Sequence, residues 1–242
     1  MLIREKKPFI KGSIMLASFL GMLLVLFMPI FPGDEGKHLT GLEYSDNVFN
    51  QLSKGSSYFI PQVQERVKSV TGSRVTLAVK LKKEALAPVA QAILKKAGAE
   101  QVEVEGANVR FSGDLGKILA SVTEDSDALY HNKGDVVANK YSGEQPLKVA
   151  QAWWHALSPS LKELQKQHLL REAEVVDQVL RRAVEPGSNF YGIAPIKVSD
   201  HIFLLFGLLA FYLIYTLWYG FGIFEVFEGM GLAMSKSKNK KE

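Results

Sequence analysis

The architecture is decided by residues 200–229, DHIFLLFGLLAFYLIYTLWYGFGIFEVFEG. Residues 202–224 are 23 consecutive uncharged residues, and as an α-helix they extend roughly 34 Å at about 1.5 Å per residue. The hydrocarbon core of a bilayer is ~30 Å thick. A buried core helix that is apolar on every side for this length does not suit a chain of 242 residues. We therefore predict a transmembrane helix over residues 201–225.

A second apolar stretch, IMLASFLGMLLVLFMPIF, follows the basic start of the chain. A cleaved signal peptide is the alternative interpretation. The stretch is longer than a usual signal-peptide core, and the PIFPGDEG sequence at its end lacks the small-x-small cleavage pattern. The sequence thus favours an uncleaved signal anchor over residues 14–32, with Pro29 and Pro32 closing the helix near the far interface.

The distribution of charge predicts the orientation. Residues 1–13 form a basic tail, and residues 226–242 form an amphipathic turn followed by a lysine-rich tail, whereas residues 33–200 carry 21 Lys/Arg and 21 Asp/Glu. Because lysine and arginine next to a span favour the cytoplasmic side, we expect both termini in the cytoplasm of a bacterium and residues 33–200 in the periplasm. We expect the tails to contact anionic lipid. The net charge of +4 is not concentrated on a folded face, so no nucleic-acid partner is predicted.

Residues 33–200 predict an α+β domain. Helical spacing covers residues 39–70, and residues 186–200 form a linker to the second span. Residues 74–142 alternate strands and helices in the order βαββαβ, typical of a ferredoxin-like unit, with Gly98 closing one helix and Asp114 opening the next. The first strand, RVTLAVKLK, alternates apolar and polar residues, and Gly106-Ala107 predicts a tight hairpin between the second and third strands. The last of these strands is GDVVANKYS. Helices return over 146–185, restart at Ser158–Pro159 and stop at Pro186–Gly187.

Catalytic and cofactor motifs are weak throughout. The absence of cysteine excludes disulfides, thiolate zinc sites and cysteine-ligated clusters in this chain. We find no glycine-rich phosphate loop, nucleophile elbow or HExxH motif, so neither an enzymatic activity nor a cofactor is predicted. On one helix face, Glu124, Asp127 and His131 form a candidate metal site. The alternative for these three residues, a solvated face with a histidine favoured by the helix dipole, is the preferred one.

Four aromatic residues are candidate contacts for a partner protein, because tryptophan and tyrosine are enriched at interaction hot spots. Two are adjacent in one helix and two lie in the loop before the second span: Trp153, Trp154, Phe190 and Tyr191. Since Trp153 and Trp154 point about 100° apart, we expect one to lie in the core and the other at the surface.

The second span carries hydroxyl groups and glycines that predict contact with other membrane helices. The candidate interface residues are Tyr212, Tyr215, Thr216, Tyr219, Gly220 and Gly222. Hydroxyl groups within the bilayer seek hydrogen-bond partners, and glycines allow helices to approach closely.

The sequence leaves little cytoplasmic material for signalling and too few helices for a transporter acting alone. We therefore expect a non-catalytic accessory subunit of an inner-membrane complex. Its partners are other integral membrane subunits or further copies of this chain, together with a periplasmic protein. The alternative is a periplasmic ligand-binding or sensing module that relays to a separate membrane partner.

Overall fold

The computed structural model describes residues 3–33 and 36–232. These residues are mostly helical, with a two-stranded and a three-stranded sheet and two helices long and apolar enough to cross a membrane. They form two compact units. The first comprises the described residues of Met1–Leu52 and Ile196–Glu242, and the second comprises Ser53–Pro195. The predicted lysine-rich tail, with Lys236, Lys238, Lys240 and Lys241, lies outside the described residues.

In chain order the elements are helix α1 (Lys6–Leu26), strands β1 (Phe31–Pro32) and β2 (His38–Leu39), helices α2 (Gly41–Ser56) and α3 (Ile60–Lys68), strand β3 (Arg74–Lys80), helix α4 (Ala87–Lys96), strands β4 (Gln101–Glu105) and β5 (Asn108–Asp114), and helices α5 (Leu115–Tyr130), α6 (Gly134–Lys140), α7 (Pro146–Lys166), α8 (Leu170–Val179), α9 (Glu185–Asn189) and α10 (Ile202–Gly229). A π-helical turn, Leu180–Val184, joins α8 to α9.

The two apolar helices differ in their bounds from the sequence prediction. Helix α1 begins at Lys6 rather than at residue 14, because lysine stems lie along a helix while their ammonium groups reach water. It ends at Leu26, ahead of Pro29, since a residue before proline is biased away from helical backbone. Helix α10 continues beyond residue 225 to Gly229. The predicted amphipathic turn thus begins as a continuation of the same helix.

The helices predicted over residues 39–70 are present as α2 and α3. The start of α2 is a capping box. The amide nitrogen of Thr40 donates to Glu43 Oε2 at 2.8 Å, and the amide of Glu43 donates to Thr40 Oγ1 at 3.2 Å. The hydrogen bonds from Thr40 lower the pKa of the Glu43 carboxyl.

The three-stranded sheet has the order β3-β5-β4, with both neighbouring pairs antiparallel. The alternation predicted for β3 is confirmed, since Val75, Leu77 and Val79 are buried and the residues between them are exposed. The predicted hairpin between β4 and β5 is also confirmed, and Gly106 at its turn has a φ of +57°. Helices α4 and α7 pack against the sheet.

The predicted ferredoxin-like unit is wrong in its last strand. Residues Gly134–Lys140 form helix α6, so the sheet formed by the described residues of this unit has three strands in place of four. Only one of the two valines in GDVVANK is buried, Val137, which is consistent with one apolar side of a short helix. The end of α6 is tied by side-chain contacts of Lys140 and Tyr141 to α5, and these contacts outweigh the strand propensity of the valines.

Two predicted helix boundaries in the second unit are confirmed. Asp114 caps α5, because its Oδ1 accepts from the amide of Lys117 at 3.3 Å. Gly98 follows the last residues of α4 with a φ of +87°, and the amide of Ala99 donates to the carbonyl of Leu94 at 3.0 Å. This arrangement is a Schellman motif, which glycine favours.

The predicted restart at Ser158–Pro159 is wrong, since α7 runs through Pro159 to Lys166. Buried residues continue on one side of the helix beyond the proline, including Leu157, Ser160 and Leu164. Packing of this continuous face compensates for the amide hydrogen bond that proline lacks. The break comes instead at His168, whose φ is +59°.

The predicted stop at Pro186–Gly187 is also wrong, because helical backbone continues to Asn189. Proline within a helix clashes with the carbonyl four residues before it, here that of Arg182. The wide π-turn that contains Arg182 relieves such a clash. Gly187 permits close approach to α5, since a Cβ there would lie 2.7 Å from the carbonyl oxygen of Ser126.

A buried carboxylate links three helices of the second unit. Asp125 of α5 is 3% exposed, and its Oδ1 accepts from Lys140 Nζ at 2.7 Å. Its Oδ2 accepts from the Tyr141 hydroxyl at 2.6 Å and from Trp153 Nε1 at 2.8 Å. Burial and the Asp125 charge raise the pKa of Tyr141 well above its ordinary value. Lys140 Nζ also donates to Ser121 Oγ at 2.9 Å.

We expect Asp125→Asn to destabilise the second unit by about 3–5 kcal/mol, because it leaves the half-buried Lys140 ammonium without its closest carboxylate. Urea unfolding of the full chain in detergent, followed by tryptophan fluorescence, measures this loss. Glu124→Gln is the matched control: Glu124 also lies near Lys140, at 3.7 Å, but its side chain is 71% exposed. Equal stability of D125N and E124Q would contradict a structural role for the carboxylate.

Candidate functional site

Helices α1 and α10 form an antiparallel pair whose backbones approach closely at glycines, among them Gly12 and Gly222. A Cβ on Gly12 would lie 2.6 Å from the amide nitrogen of Val226 and 2.7 Å from the carbonyl oxygen of Gly222. A Cβ on Gly222 would lie 2.9 Å from Leu16 Cδ2. Both glycines are buried, and any larger residue at Gly12 would push the helices apart.

Aromatic contacts follow this crossing along the pair. The Phe19 ring of α1 stacks on Tyr215 of α10 at a centroid distance of 4.2 Å, and Tyr219 lies 4.9 Å away. The indole nitrogen of Trp218 donates to the Met15 carbonyl and to Ser18 Oγ, each at 3.1 Å. These contacts fix the rotation of α10 against α1.

An ion pair closes the crossing on the side of the chain termini. Lys11 Nζ lies 2.6 Å from Glu225 Oε1, with the glutamate side chain 19% exposed and the lysine side chain 64% exposed. A half-buried carboxylate beside apolar helices is costly without a cation, so this pair sets the register of the two helices.

The predicted hydroxyl stripe of α10 divides between two faces. Tyr215, Tyr219 and Gly222 face α1, as the contacts above establish. The other three residues, Tyr212, Thr216 and Gly220, lie four residues apart, and their mean direction is about 90° around the helix from that of the first three. The sequence spacing predicted a single interface, whereas in the structure these residues lie on two distinct faces of the helix.

The second face of α10 is open in the described structure. The Tyr212 side chain is 69% exposed, and no described atom would contact a Cβ on Gly220 within 4 Å. Thr216 Oγ1 donates to the carbonyl of Tyr212 at 2.7 Å. A groove of about 660 Å³ runs beside Gly220, lined also by Thr216, Phe224 and Lys11.

The predicted metal residues do not come together as one ligand set. Asp127 accepts a hydrogen bond from the Tyr58 hydroxyl at 2.6 Å and lies 3.4 Å from His131 Nδ1. Glu124 lies instead toward Lys140, at 3.7 Å. Within residues 3–33 and 36–232 there is no group of three or more Asp, Glu or His placed to hold a metal ion. Burial and Asp127 raise the pKa of Tyr58 to about 12.

The four predicted partner contacts have different environments. Trp153 is 1% exposed and bonded to Asp125, so it lies in the core of the second unit and not at an accessible surface. The Phe190 ring packs edge-on against Tyr130, and the Tyr191 hydroxyl lies against Gly134. Trp154 is half-buried and keeps an accessible side. One tryptophan lies in the core and one at the surface, as the 100° separation predicts.

Sequence reasoning missed a buried lysine, Lys54, which is 3% exposed. Its Nζ donates to the carbonyls of Ile193 at 2.6 Å and Phe190 at 3.0 Å, and to Asn132 Oδ1 at 3.1 Å. Burial lowers its pKa, and within the described residues no carboxylate lies within 4 Å of it. Lys54 thereby holds the loop with Phe190 and Tyr191 in place. A single lysine in QLSKG carries no sequence signal for this role.

Comparisons of the chain with protein-family models, with curated proteins and with solved structures found no match.

The cysteine-free chain allows a direct test of the helix pair. A Cβ on Gly222 would lie 3.4 Å from the Met15 Cβ, close to the ~3.5–4.5 Å of a disulfide. We expect Met15→Cys combined with Gly222→Cys to form an intramolecular disulfide in membranes, seen as a mobility shift that reductant reverses. Met15→Cys with Gly220→Cys is the control and should remain reduced within one chain. Disulfide-linked dimers in place of the intramolecular product would contradict the pairing.

Proposed function

We propose that this chain is a non-catalytic accessory subunit of a bacterial inner-membrane complex. In this proposal α1 and α10 cross the membrane as one antiparallel pair, and the open face of α10 packs against a helix of another integral membrane subunit. The unit Ser53–Pro195 lies in the periplasm and docks a partner protein there.

One observation carries the proposal, namely the open face formed by Tyr212, Thr216 and Gly220. The Tyr212 hydroxyl has no hydrogen-bond partner among the described residues, although Tyr212 lies about 15 Å along α10 from its start, near the middle of a bilayer. Thr216 and Gly220 form a small-xxx-small pair, which is typical of helices that pack closely in membranes. A partner helix at this face would cover the groove and supply an acceptor for Tyr212.

We expect Gly220→Leu to release the chain from its complex, because the larger side chain fills the position where a partner backbone approaches. Crosslinking in native membranes followed by mild-detergent purification and mass measurement tests this. Gly207→Leu is the matched control, since Gly207 lies in the same helix and also has no described atom within 4 Å of a Cβ.

The masses distinguish the outcomes of this experiment. Wild type and G207L should remain in an assembly containing other proteins, whereas G220L should not. Assemblies whose masses are multiples of 26.9 kDa, with no other protein present, would show that the partner is a further copy of this chain. A wild-type chain that is recovered only as a 26.9 kDa monomer would contradict the proposal.

The proposed orientation is tested by labelling single cysteines. Val136 is 51% exposed in the second unit, and we expect Val136→Cys to react with a membrane-impermeant maleimide in intact spheroplasts. Glu5→Cys, before α1, should react only after the spheroplasts are lysed. The reverse pattern would place the second unit in the cytoplasm and would contradict a periplasmic partner.

A second candidate function is ligand binding or sensing by the second unit, with relay to a separate membrane partner. It is favoured by a pocket beside the half-buried Trp154, between α7 and α9. Both elements belong to the second unit, so this candidate does not depend on the α10 face.

A further inference from the structure

The pocket beside Trp154 has a volume of about 240 Å³. Helix α7 forms one wall, and the π-turn with helix α9 forms the other. We call it the Trp154 pocket, and its polar lining consists of Gln151, His155, Glu185, Ser188 and Asn189. Ala150 and Val184 add apolar surface next to the indole.

The second wall of the Trp154 pocket has an unusual backbone. The π-turn Leu180–Val184 shifts the helix by an extra residue immediately before Glu185, and such turns are frequent at functional sites. Because Gly187 has no side chain, α9 packs directly against the backbone of Ser126 in α5. The wall carrying Glu185, Ser188 and Asn189 is therefore fixed against the core.

The polar side chains of the pocket are free to bind a ligand. Within the part of the chain that the structure describes, Gln151, His155, Glu185, Ser188 and Asn189 make no side-chain hydrogen bond to protein, and neither does the Trp154 indole nitrogen. Amide, hydroxyl and imidazole groups can both donate and accept. Four such side chains and the Glu185 carboxylate around one aromatic ring are typical of ligand pockets, in which a few polar groups fix orientation.

The charges around the pocket favour a neutral ligand. Glu185 contributes a carboxylate, while Lys82 and Lys83 lie close enough to His155 to affect its titration. Burial lowers the pKa of His155, and Lys83 and Lys82 lower it further, which favours the neutral imidazole. A cation is attracted by Glu185 and repelled by these lysines, and an anion is affected in the opposite sense, so the opposite charges leave no net preference for an ion of either sign and suit an uncharged ligand.

We propose that the Trp154 pocket binds one ring of a neutral carbohydrate. The C–H face of the sugar ring stacks on the Trp154 indole, and its hydroxyl groups bond to Gln151, Asn189 and Glu185. Sugar hydroxyls are both donors and acceptors, which matches amide and carboxylate side chains on an apolar platform. This inference rests on the second candidate function and adds the class of ligand.

The test uses the full chain in lipid nanodiscs, with calorimetry and saturation-transfer NMR. The probes are glucose, N-acetylglucosamine and maltose, with choline and inorganic phosphate as charged competitors. We expect at least one of the three sugars to bind with a Kd of about 1 mM or tighter, with saturation transfer strongest at its ring C–H protons. Tighter binding of choline or phosphate, or no binding of the three sugars at ~10 mM, would overturn the proposal.

Variants locate the binding and keep the test independent of folding. Trp154→Ala should weaken sugar binding roughly tenfold, and Trp154→Phe should weaken it less. Asn189→Ala, at an exposed rim position, should weaken it about threefold or more without affecting thermal unfolding. Glu174→Gln, on the surface of α8 outside the pocket, is the matched control and should bind as wild type.

Sugar binding that persists in both W154A and N189A would place the ligand elsewhere and overturn the proposal. Failure here is distinguishable from failure of the proposed functions. A thermal shift with an unrelated small molecule that N189A abolishes would keep ligand binding and reject carbohydrate. Release of G220L from its complex does not depend on this pocket.

Discussion

The close approach of Gly12 to the backbone of α10 is the constraint on which the first unit depends. In the proposed membrane location, two apolar helices gain nothing from the hydrophobic effect when they associate, so packing and hydrogen bonds would have to hold them together. With no side chain at Gly12 and Gly222, the backbones come near enough for Trp218 to reach the Met15 carbonyl. The same approach brings Lys11 within 2.6 Å of Glu225. A wider crossing would lose both contacts together.

The second unit contains two buried charged groups that are satisfied in different ways. Asp125 is paired with the Lys140 ammonium and with two neutral donors, Tyr141 and Trp153. Removing the carboxylate therefore leaves several buried donors without an acceptor at once. Lys54 Nζ donates to two backbone carbonyls and to the Asn132 amide oxygen, with no carboxylate beside it among the described residues, and burial lowers its pKa. Unfolding restores the ordinary pKa of Lys54, and the unfolded chain then binds more protons. The contribution of Lys54 to stability therefore rises with pH between its lowered pKa and its ordinary value.

The sequence predicted the elements whose signals are local and missed those set by tertiary contacts. Alternation in β3, the turn at Gly106 and the cap at Asp114 require only neighbouring residues. Pro159 and Pro186 were interpreted as helix boundaries because proline usually breaks helices. The structure continues past both, because α7 has a buried face on each side of Pro159 and a π-turn precedes Pro186. The elements against which these two segments pack, including β3 and α5, lie far away in the sequence. The two valines of α6 were interpreted as strand residues, because the side-chain contacts with α5 that favour a helix there cannot be read from the local sequence.

The candidate site was predictable in its residues more than in its geometry. Composition identified Tyr212, Tyr215 and Thr216 of α10, but periodicity alone did not separate the face that meets α1 from the open one. Asp125 was passed over because an acidic cluster usually marks a solvated surface, and nothing local distinguishes Asp125 from its neighbours Glu124 and Asp127. Trp154 was identified, whereas its polar surroundings come partly from α9, which the sequence assigned to a linker.

The open face of α10 has an energetic consequence that argues for a partner. A hydroxyl without a hydrogen bond in hydrocarbon costs roughly 4–8 kcal/mol on the scale of transfer to cyclohexane. Thr216 avoids this cost through the Tyr212 carbonyl, within its own helix. Tyr212 has a longer side chain whose hydroxyl finds no acceptor among the described residues of α1 or α10. In the proposed complex, a neighbouring helix that packs on Gly220 and offers an acceptor near Tyr212 would remove this cost and fill the groove. The residue that destabilises the isolated pair would then favour the proposed assembly.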